Sequence, residues 1–162
     1  MNKLRQINIP ALIYILGSAF LLGALMVIIF LLSHETADDS RETSGFIYDL
    51  LVKIFGSSPP MDIIRTCAHF AEYTLFGILT ANYGYSIIYK ERKGVSIAVG
   101  CIYALSDEIH QFFIPGRAFQ ISDLLVDSCG VILGVFLFAG LIRIIKRSKK
   151  NKLQNNKDKI TQ

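Results

Sequence analysis

Four long, mainly apolar stretches alternate with polar stretches along this chain of 162 residues. They lie at about residues 11–32, 63–89, 94–114 and 122–145. At a rise of about 1.5 Å per residue, each is long enough to cross a hydrocarbon layer of roughly 30 Å as an α-helix. The pattern predicts an all-α, polytopic membrane protein with four transmembrane helices. The first stretch is longer than a signal-peptide core, so we interpret it as an uncleaved helix.

The third stretch reaches spanning length only if it includes polar residues. The apolar residues from Gly94 to Leu105 are too few to cross a bilayer, so the helix must continue through Ser106–Gln111 towards Pro115. This places two carboxylates, an imidazole and an amide within the thickness of the membrane. Because ionisable groups are costly there, the segment predicts a functional site.

The connection between the first two spans, residues 33–62, is the longest polar one. Its apolar residues between Ile47 and Ile54 recur at helical spacing, which predicts a short amphipathic helix at the membrane interface. After the last span the chain is basic and poor in apolar residues. We therefore divide the chain into a four-helix membrane domain, residues 1–147, and a basic cytoplasmic tail, residues 148–162, that we expect to be disordered.

Positive charge is concentrated on one predicted side of the membrane. Four spans place both termini on the same side, together with Lys3, Arg5, the connection 90–93 and the basic tail. By the positive-inside rule the termini are cytoplasmic. Contact with anionic lipids accounts for the formal net charge of +4, so we expect membrane lipids and no nucleic acid as partners.

Polar residues of three predicted helices fall at one depth. Counted from the cytoplasmic ends, Glu72, Gln111 and Asp127 lie about 27, 27 and 24 Å up their helices. The loop 115–121, which contains Arg117, follows directly above them. This agreement predicts a polar pocket in the outer part of the bilayer. The alternative is a hydrogen-bonded network that only holds the helices together.

Two further patterns concern packing. Gly130-x-x-x-Gly134 on the fourth helix predicts close contact with a neighbouring helix. The three cysteines all lie in apolar stretches, in an odd number, and form neither a disulfide framework nor a zinc pattern. No cofactor and no oligomeric state can be assigned from these patterns.

Three ordered motifs resemble the VanZ-like family, over about residues 12–145. They are Arg65-x-x-x-His69-Phe70-x-Glu72-Tyr73, Ser106-Asp107-Glu108-Ile109-His110-Gln111-x-Phe113-x-Pro115-Gly116-Arg117, and Asp123-x-x-x-Asp127-x-x-Gly130-x-x-x-Gly134. The resemblance implies a small multi-pass protein of the bacterial cell membrane and an association with resistance to the glycopeptide teicoplanin. The chain departs from the family pattern at two positions. It has Arg65 where lysine is frequent in the family, and Asp127 where asparagine is frequent.

From the pocket and the resemblance together we derive two groups of candidate site residues. The candidate catalytic residues are His69, Glu72, Glu108, Gln111 and Asp123. The candidate ligand-binding residues are Arg65, Asp107, His110, Arg117 and Asp127. A guanidinium at headgroup level suits a phosphate, although Arg117 could instead pair with Asp123 or Glu108 and hold its loop.

The function we expect is the binding or modification of a phosphate-bearing envelope lipid, contributing to teicoplanin resistance or envelope homeostasis. One alternative is a metal-dependent membrane hydrolase or transferase, because His69-x-x-Glu72 and Asp107-x-x-His110 offer nitrogen and oxygen ligands. Another is a small proton-coupled transporter, because buried acids and a histidine can relay protons.

Overall fold

The computed structural model describes residues 8–57 and 60–160, and every regular element in them is an α-helix. The five helices, in chain order, are α1 (Ile9–Ser33), α2 (Ala37–Phe55), α3 (Met61–Ile88), α4 (Lys93–Phe112) and α5 (Ile121–Ile160). The all-α prediction is confirmed. Four helices lie where the four apolar stretches predicted them, and α2 lies between the first two.

Helix α2 is longer than its apolar pattern predicted. It begins at Ala37, because the Thr36 hydroxyl accepts a hydrogen bond from the backbone N–H of Asp39 at 3.3 Å and caps the first turn. Asp38 and Asp39 in that turn place negative charge at the positive end of the helix dipole, which stabilises the helix. The helix ends at Gly56, whose φ of +75° suits a residue without a side chain.

Helices α3 and α5 pack backbone against backbone. A Cβ atom added to Gly134 would overlap the carbonyl oxygen of Thr74 and lie 2.8 Å from the backbone nitrogen of Ile78. A Cβ atom on Gly130 would lie 2.7 Å from the carbonyl oxygen of Phe70. The predicted close packing at Gly130-x-x-x-Gly134 is confirmed, with α3 as the neighbour.

Polar and apolar residues are distributed as expected for a protein in lipid. Among the described helices, α1 and the part of α5 from Ile121 to Asn156 are long and apolar enough to cross a membrane. Large apolar side chains such as Phe20 on α1 and Ile102 on α4 are exposed at 74% and 67%. The buried polar side chains, by contrast, belong to Ser18, Ser33, Thr80, Ser86, Ser96, Asp107, Glu108, Gln111 and Asp127. These features suggest a membrane protein, while the crossing of α3 and α4 stays a prediction.

The structure differs from the prediction for the tail. Helix α5 continues to Ile160, whereas we expected disorder from Ser148. No glycine or proline follows Gly140, and lysine, arginine, glutamine and leucine all favour helix. The residues from Arg143 to Asn156 are exposed, so intrinsic propensity and not burial accounts for this extension.

Candidate functional site

Asp107 and Gln111 join three helices near the end of α4. They are one turn apart, and the Gln111 amide donates a hydrogen bond to Asp107 Oδ2 at 3.2 Å. The Tyr73 hydroxyl donates to the same oxygen at 2.9 Å from α3. The Gln111 amide also lies 3.4 Å from the Ser33 hydroxyl, at the end of α1. All four side chains are buried, so this part of the site is a satisfied hydrogen-bond network.

Glu108 faces a different direction from Asp107, as its position about 100° further round the helix requires. Its Oε2 accepts a hydrogen bond of 3.0 Å from the backbone N–H of Gln120, just before α5. Its Oε1 is buried and has no hydrogen-bond partner in the described part of the chain. Glu108 therefore ties the end of α4 to the start of α5.

Two pairs of side chains connect α3 to α5. Arg65 Nη2 lies 3.2 Å from Asp123 Oδ2, and His69 Nδ1 lies 3.4 Å from Asp127 Oδ1. The pairs are one turn apart on both helices, which lie in contact through the glycines already described. The close packing of α5 on α3 therefore also brings the candidate residues of the two helices together.

Arg117 makes neither of the ion pairs considered for it. Its guanidinium donates a hydrogen bond of 3.2 Å to the carbonyl oxygen of Leu32, at the end of α1. Asp123 pairs with Arg65 instead. Burial and the neighbouring charge of Arg65 lower the pKa of Arg117, although a guanidinium stays protonated in proteins. The positive charge of Arg117 is therefore half buried and lies close to the positive charge of Arg65.

A cavity of about 410 Å³, which we call the guanidinium cavity, lies between α3, the ends of α1 and α2, and the loop before α5. Its lining combines charged, polar and apolar side chains, namely Leu32, Ser33, Glu35, Ser40, Arg65, Ala68, His69, Ala71, Glu72, Leu75 and Arg117. Glu72 makes no hydrogen bond or ion pair with the residues that the structure describes. It is therefore available to a ligand in this cavity.

A second space of about 250 Å³, the polar cavity, lies on the other side of Arg65 and His69. It is lined by Asp62, Arg65, Thr66, His69, Gln120, Ser122, Asp123 and Val126. Gln120 and Ser122 both hydrogen-bond the Asp123 carboxylate, at 3.2 and 3.3 Å. Nothing in the sequence pattern marked Gln120, because loop residues carry no periodicity that would indicate where they face.

The ten candidate residues thus fall into three sets. Five line the cavities: Arg65, His69, Glu72, Arg117 and Asp123. Four are buried and line neither cavity: Asp107, Glu108, Gln111 and Asp127. One, His110, lies apart from both cavities and contacts His34, the residue directly after α1, with 3.3 Å between ring nitrogens. Its position three residues after Asp107 turns it towards α1, where it also stacks on Phe30.

The described residues contain no group of three or more histidine, cysteine, aspartate or glutamate side chains placed to hold a metal ion. The two motifs considered as metal ligands are directed to different partners: His69 contacts Asp127, and Asp107 contacts Tyr73. The metal-dependent alternative therefore has no ligand set in the described part of the chain.

Comparison with known proteins identifies the family. A family model described as VanZ/LLP1 matches residues 18–145, which is well over half of the chain and includes every candidate site residue. Searches of curated proteins and of solved structures gave no match. The chain belongs to the VanZ/LLP1 family.

Proposed function

We propose that this member of the VanZ/LLP1 family binds, or chemically modifies, a phosphate-bearing envelope lipid whose headgroup occupies the guanidinium cavity. The observation that carries the proposal is that Arg65 and Arg117 line one cavity together with apolar side chains. Such a combination matches an amphiphile with an anionic head.

Arg65 and Arg117 are the cationic side chains with which this cavity would bind an anion, and Glu35 and Glu72 belong to the same lining. Arg117 is half buried, and the neighbouring Arg65 guanidinium acts unfavourably on its charge, whereas Glu35, Asp107 and Glu108 act favourably on it. A phosphate between the two groups would replace this repulsion with charge-assisted hydrogen bonds, which guanidinium groups make bidentately. Within the described part of the chain Arg117 makes one hydrogen bond, to a backbone carbonyl, so its other N–H groups are available to such a ligand.

The apolar part of the lining suits a lipid chain. Leu32, Ala68, Ala71 and Leu75 form this part, and Leu75 is 47% exposed on the outer face of α3. A cavity that is bounded on one side by such residues can admit a lipid sideways from the bilayer without moving its chain through water. Helix α2 also exposes apolar residues, Phe46 and Phe55 among them, as an interfacial helix does.

The proposal includes a four-span topology with cytoplasmic termini. Its support is that α3 and α4, like α1, bury their polar side chains and expose apolar ones, as lipid-facing helices do. The lysines and arginines at positions 90–93 and in the tail then face the cytoplasm. In this orientation the guanidinium cavity lies in the outer leaflet, where envelope lipids are processed.

A role in teicoplanin resistance or envelope homeostasis follows only from the family, and it is part of the same proposal. Cells lacking the protein should become more sensitive to teicoplanin, with vancomycin as the comparison drug. The unmutated protein should restore growth, and Arg117→Ala should not. Equal sensitivity with and without the protein would remove this part of the proposal and leave lipid binding untouched.

The decisive test is mass spectrometry of lipids that co-purify with the protein in mild detergent. The unmutated protein should retain a phosphate-bearing lipid, and Arg117→Ala should reduce its amount at least about tenfold, which corresponds to about 1.4 kcal/mol. Arg143→Ala removes an exposed guanidinium at the far end of the bundle and should change nothing. Equal lipid content in both variants would contradict the proposal.

The half of the helical bundle that lies away from the two cavities gives no support to the transporter alternative. There the Tyr14 hydroxyl donates to Asn82 at 2.7 Å, and the Ser18 and Ser86 hydroxyls are 2.9 Å apart. The buried polar residues described in that half are serines and a threonine, without a carboxylate or an imidazole. These pairs join α1 to α3 and form no chain of ionisable groups across the protein.

A further inference from the structure

His69 stands in the wall between the two cavities. Together with Arg65 it lines both the guanidinium cavity and the polar cavity. Its side chain is 14% exposed, so most of the ring is held by neighbouring groups. A ligand in either cavity therefore meets the same imidazole.

The two ring nitrogens of His69 have different surroundings. Nδ1 is buried and faces Asp127 Oδ1 at 3.4 Å. Nε2 makes no hydrogen bond with the described residues and is not buried, so it is the nitrogen that a cavity ligand reaches. A carboxylate beside Nδ1 favours the tautomer with the proton on Nδ1, which leaves a free lone pair on Nε2.

Asp127 is suited to hold that tautomer. The residue is 0% exposed, and neither of its oxygens makes a hydrogen bond with the described residues, so the 3.4 Å contact with His69 Nδ1 is the interaction that its carboxylate makes. Removing a carboxylate from water is costly unless it is paired, and His69 is the basic group that it faces. The other carboxylates around the pair include Asp123 on α5, Glu72 on α3, and Asp107 and Glu108 on α4.

We infer that His69 Nε2 is the proton acceptor of the site and that Asp127 is the residue that positions it. The inference rests on the proposed function and adds a requirement for the ligand: an O–H group, either on the headgroup or on a water molecule beside it, within reach of Nε2. The proton passes from this oxygen to Nε2, while the Nδ1 proton stays directed at Asp127. The oxygen keeps the electron pair of the broken O–H bond, next to the guanidinium of Arg65.

The other candidate bases fit this role less well. Glu108 lines neither cavity, and one of its oxygens is bound to the backbone of Gln120. Glu72 reaches the guanidinium cavity but lines only that cavity, and no described group orients its carboxylate. His69 combines access from both cavities with a partner that fixes its tautomer.

Nitrogen-15 NMR of histidine-labelled protein in nanodiscs tests the inference directly. The chain has three histidines, so His69→Gln assigns the signal of interest, and His34 and His110 serve as internal references. In the unmutated protein, under conditions where His69 is neutral, we expect its proton on Nδ1 and an unprotonated Nε2. A neutral His69 with its proton on Nε2 would overturn the inference without any variant.

The variants separate positioning from folding. Asp127→Asn should shift the His69 tautomer towards protonated Nε2, whereas Asp107→Asn, which changes a buried acid that bonds Tyr73 instead, should leave it unchanged. An unchanged tautomer in Asp127→Asn would also overturn the inference. Lipid mass spectrometry of Arg117→Ala reports on the proposed function independently, so failure of one proposal is distinguishable from failure of the other.

Discussion

A single methyl group at Gly134 should separate α5 from α3. In the substitution Gly134→Ala, the new Cβ atom overlaps the Thr74 carbonyl oxygen and lies 3.0 Å from the Thr74 carbonyl carbon. Both contacts are with backbone atoms of a helix, which cannot rotate away as a side chain can. The helices must therefore move apart along the contact that places Asp123 and Asp127 beside Arg65 and His69.

The expected magnitude follows from two opposing terms. Overpacking a tight contact typically costs about 1–3 kcal/mol, while alanine is favoured over glycine inside a helix by up to about 1 kcal/mol. We expect a net loss of about 1–2 kcal/mol for Gly134→Ala. Gly140→Ala is the matched control on the same helix, because its Cβ meets nothing within 4 Å. It should leave stability unchanged or raise it by up to about 1 kcal/mol.

Both variants can be compared by unfolding the purified protein with sodium dodecyl sulfate in mixed micelles and following helicity by circular dichroism. Gly134→Ala should unfold at a lower detergent fraction than Gly140→Ala, and it should also retain less co-purified lipid. The reasoning is refuted if the two variants unfold together, since that would mean that α5 does not contact α3 through Gly134.

Three further predictions concern the network, the topology and the tail. Tyr73→Phe removes the hydrogen bond to Asp107 and should destabilise the protein by about 0.5–1.5 kcal/mol in the same unfolding assay; no change would show that the bond is not made. In a cysteine-free background of intact cells, Phe119→Cys should react with a membrane-impermeant thiol reagent and Asn151→Cys only after permeabilisation, and the reverse pattern would invert the topology. A stop codon after Ser148 should leave the unfolding transition unchanged, because the residues removed and described up to Asn156 are exposed; a lowered transition would assign the tail a packing role.

Much of the site's position could be predicted because helix length and rise depend only on residue number. Counting along three helices placed Glu72, Gln111 and Asp127 at similar depth, and the structure links their helices through a hydrogen bond and an ion pair. The depth of a residue in a span needs no knowledge of its neighbours. The same reasoning identified the face of α5 that contacts α3, since glycines four residues apart mark it.

The pairings could not be predicted, because they depend on how each helix is rotated and on the path of a loop. Arg117 was weighed as a partner of Asp123, yet its loop directs it to the Leu32 carbonyl and leaves Asp123 to Arg65. His110 was grouped with the site, yet a rotation of a fraction of a turn places it against His34. Neither of these two contacts can be predicted from hydropathy or from residue spacing.

The sharing of Arg65 and His69 between two cavities has a thermodynamic consequence. Any ligand that draws these side chains towards one cavity changes their availability to the other. Linkage then requires that occupancy of the guanidinium cavity alter affinity at the polar cavity by the same factor as the reverse. Water or solutes on the polar side would thus modulate the affinity of the guanidinium cavity for its ligand without entering that cavity.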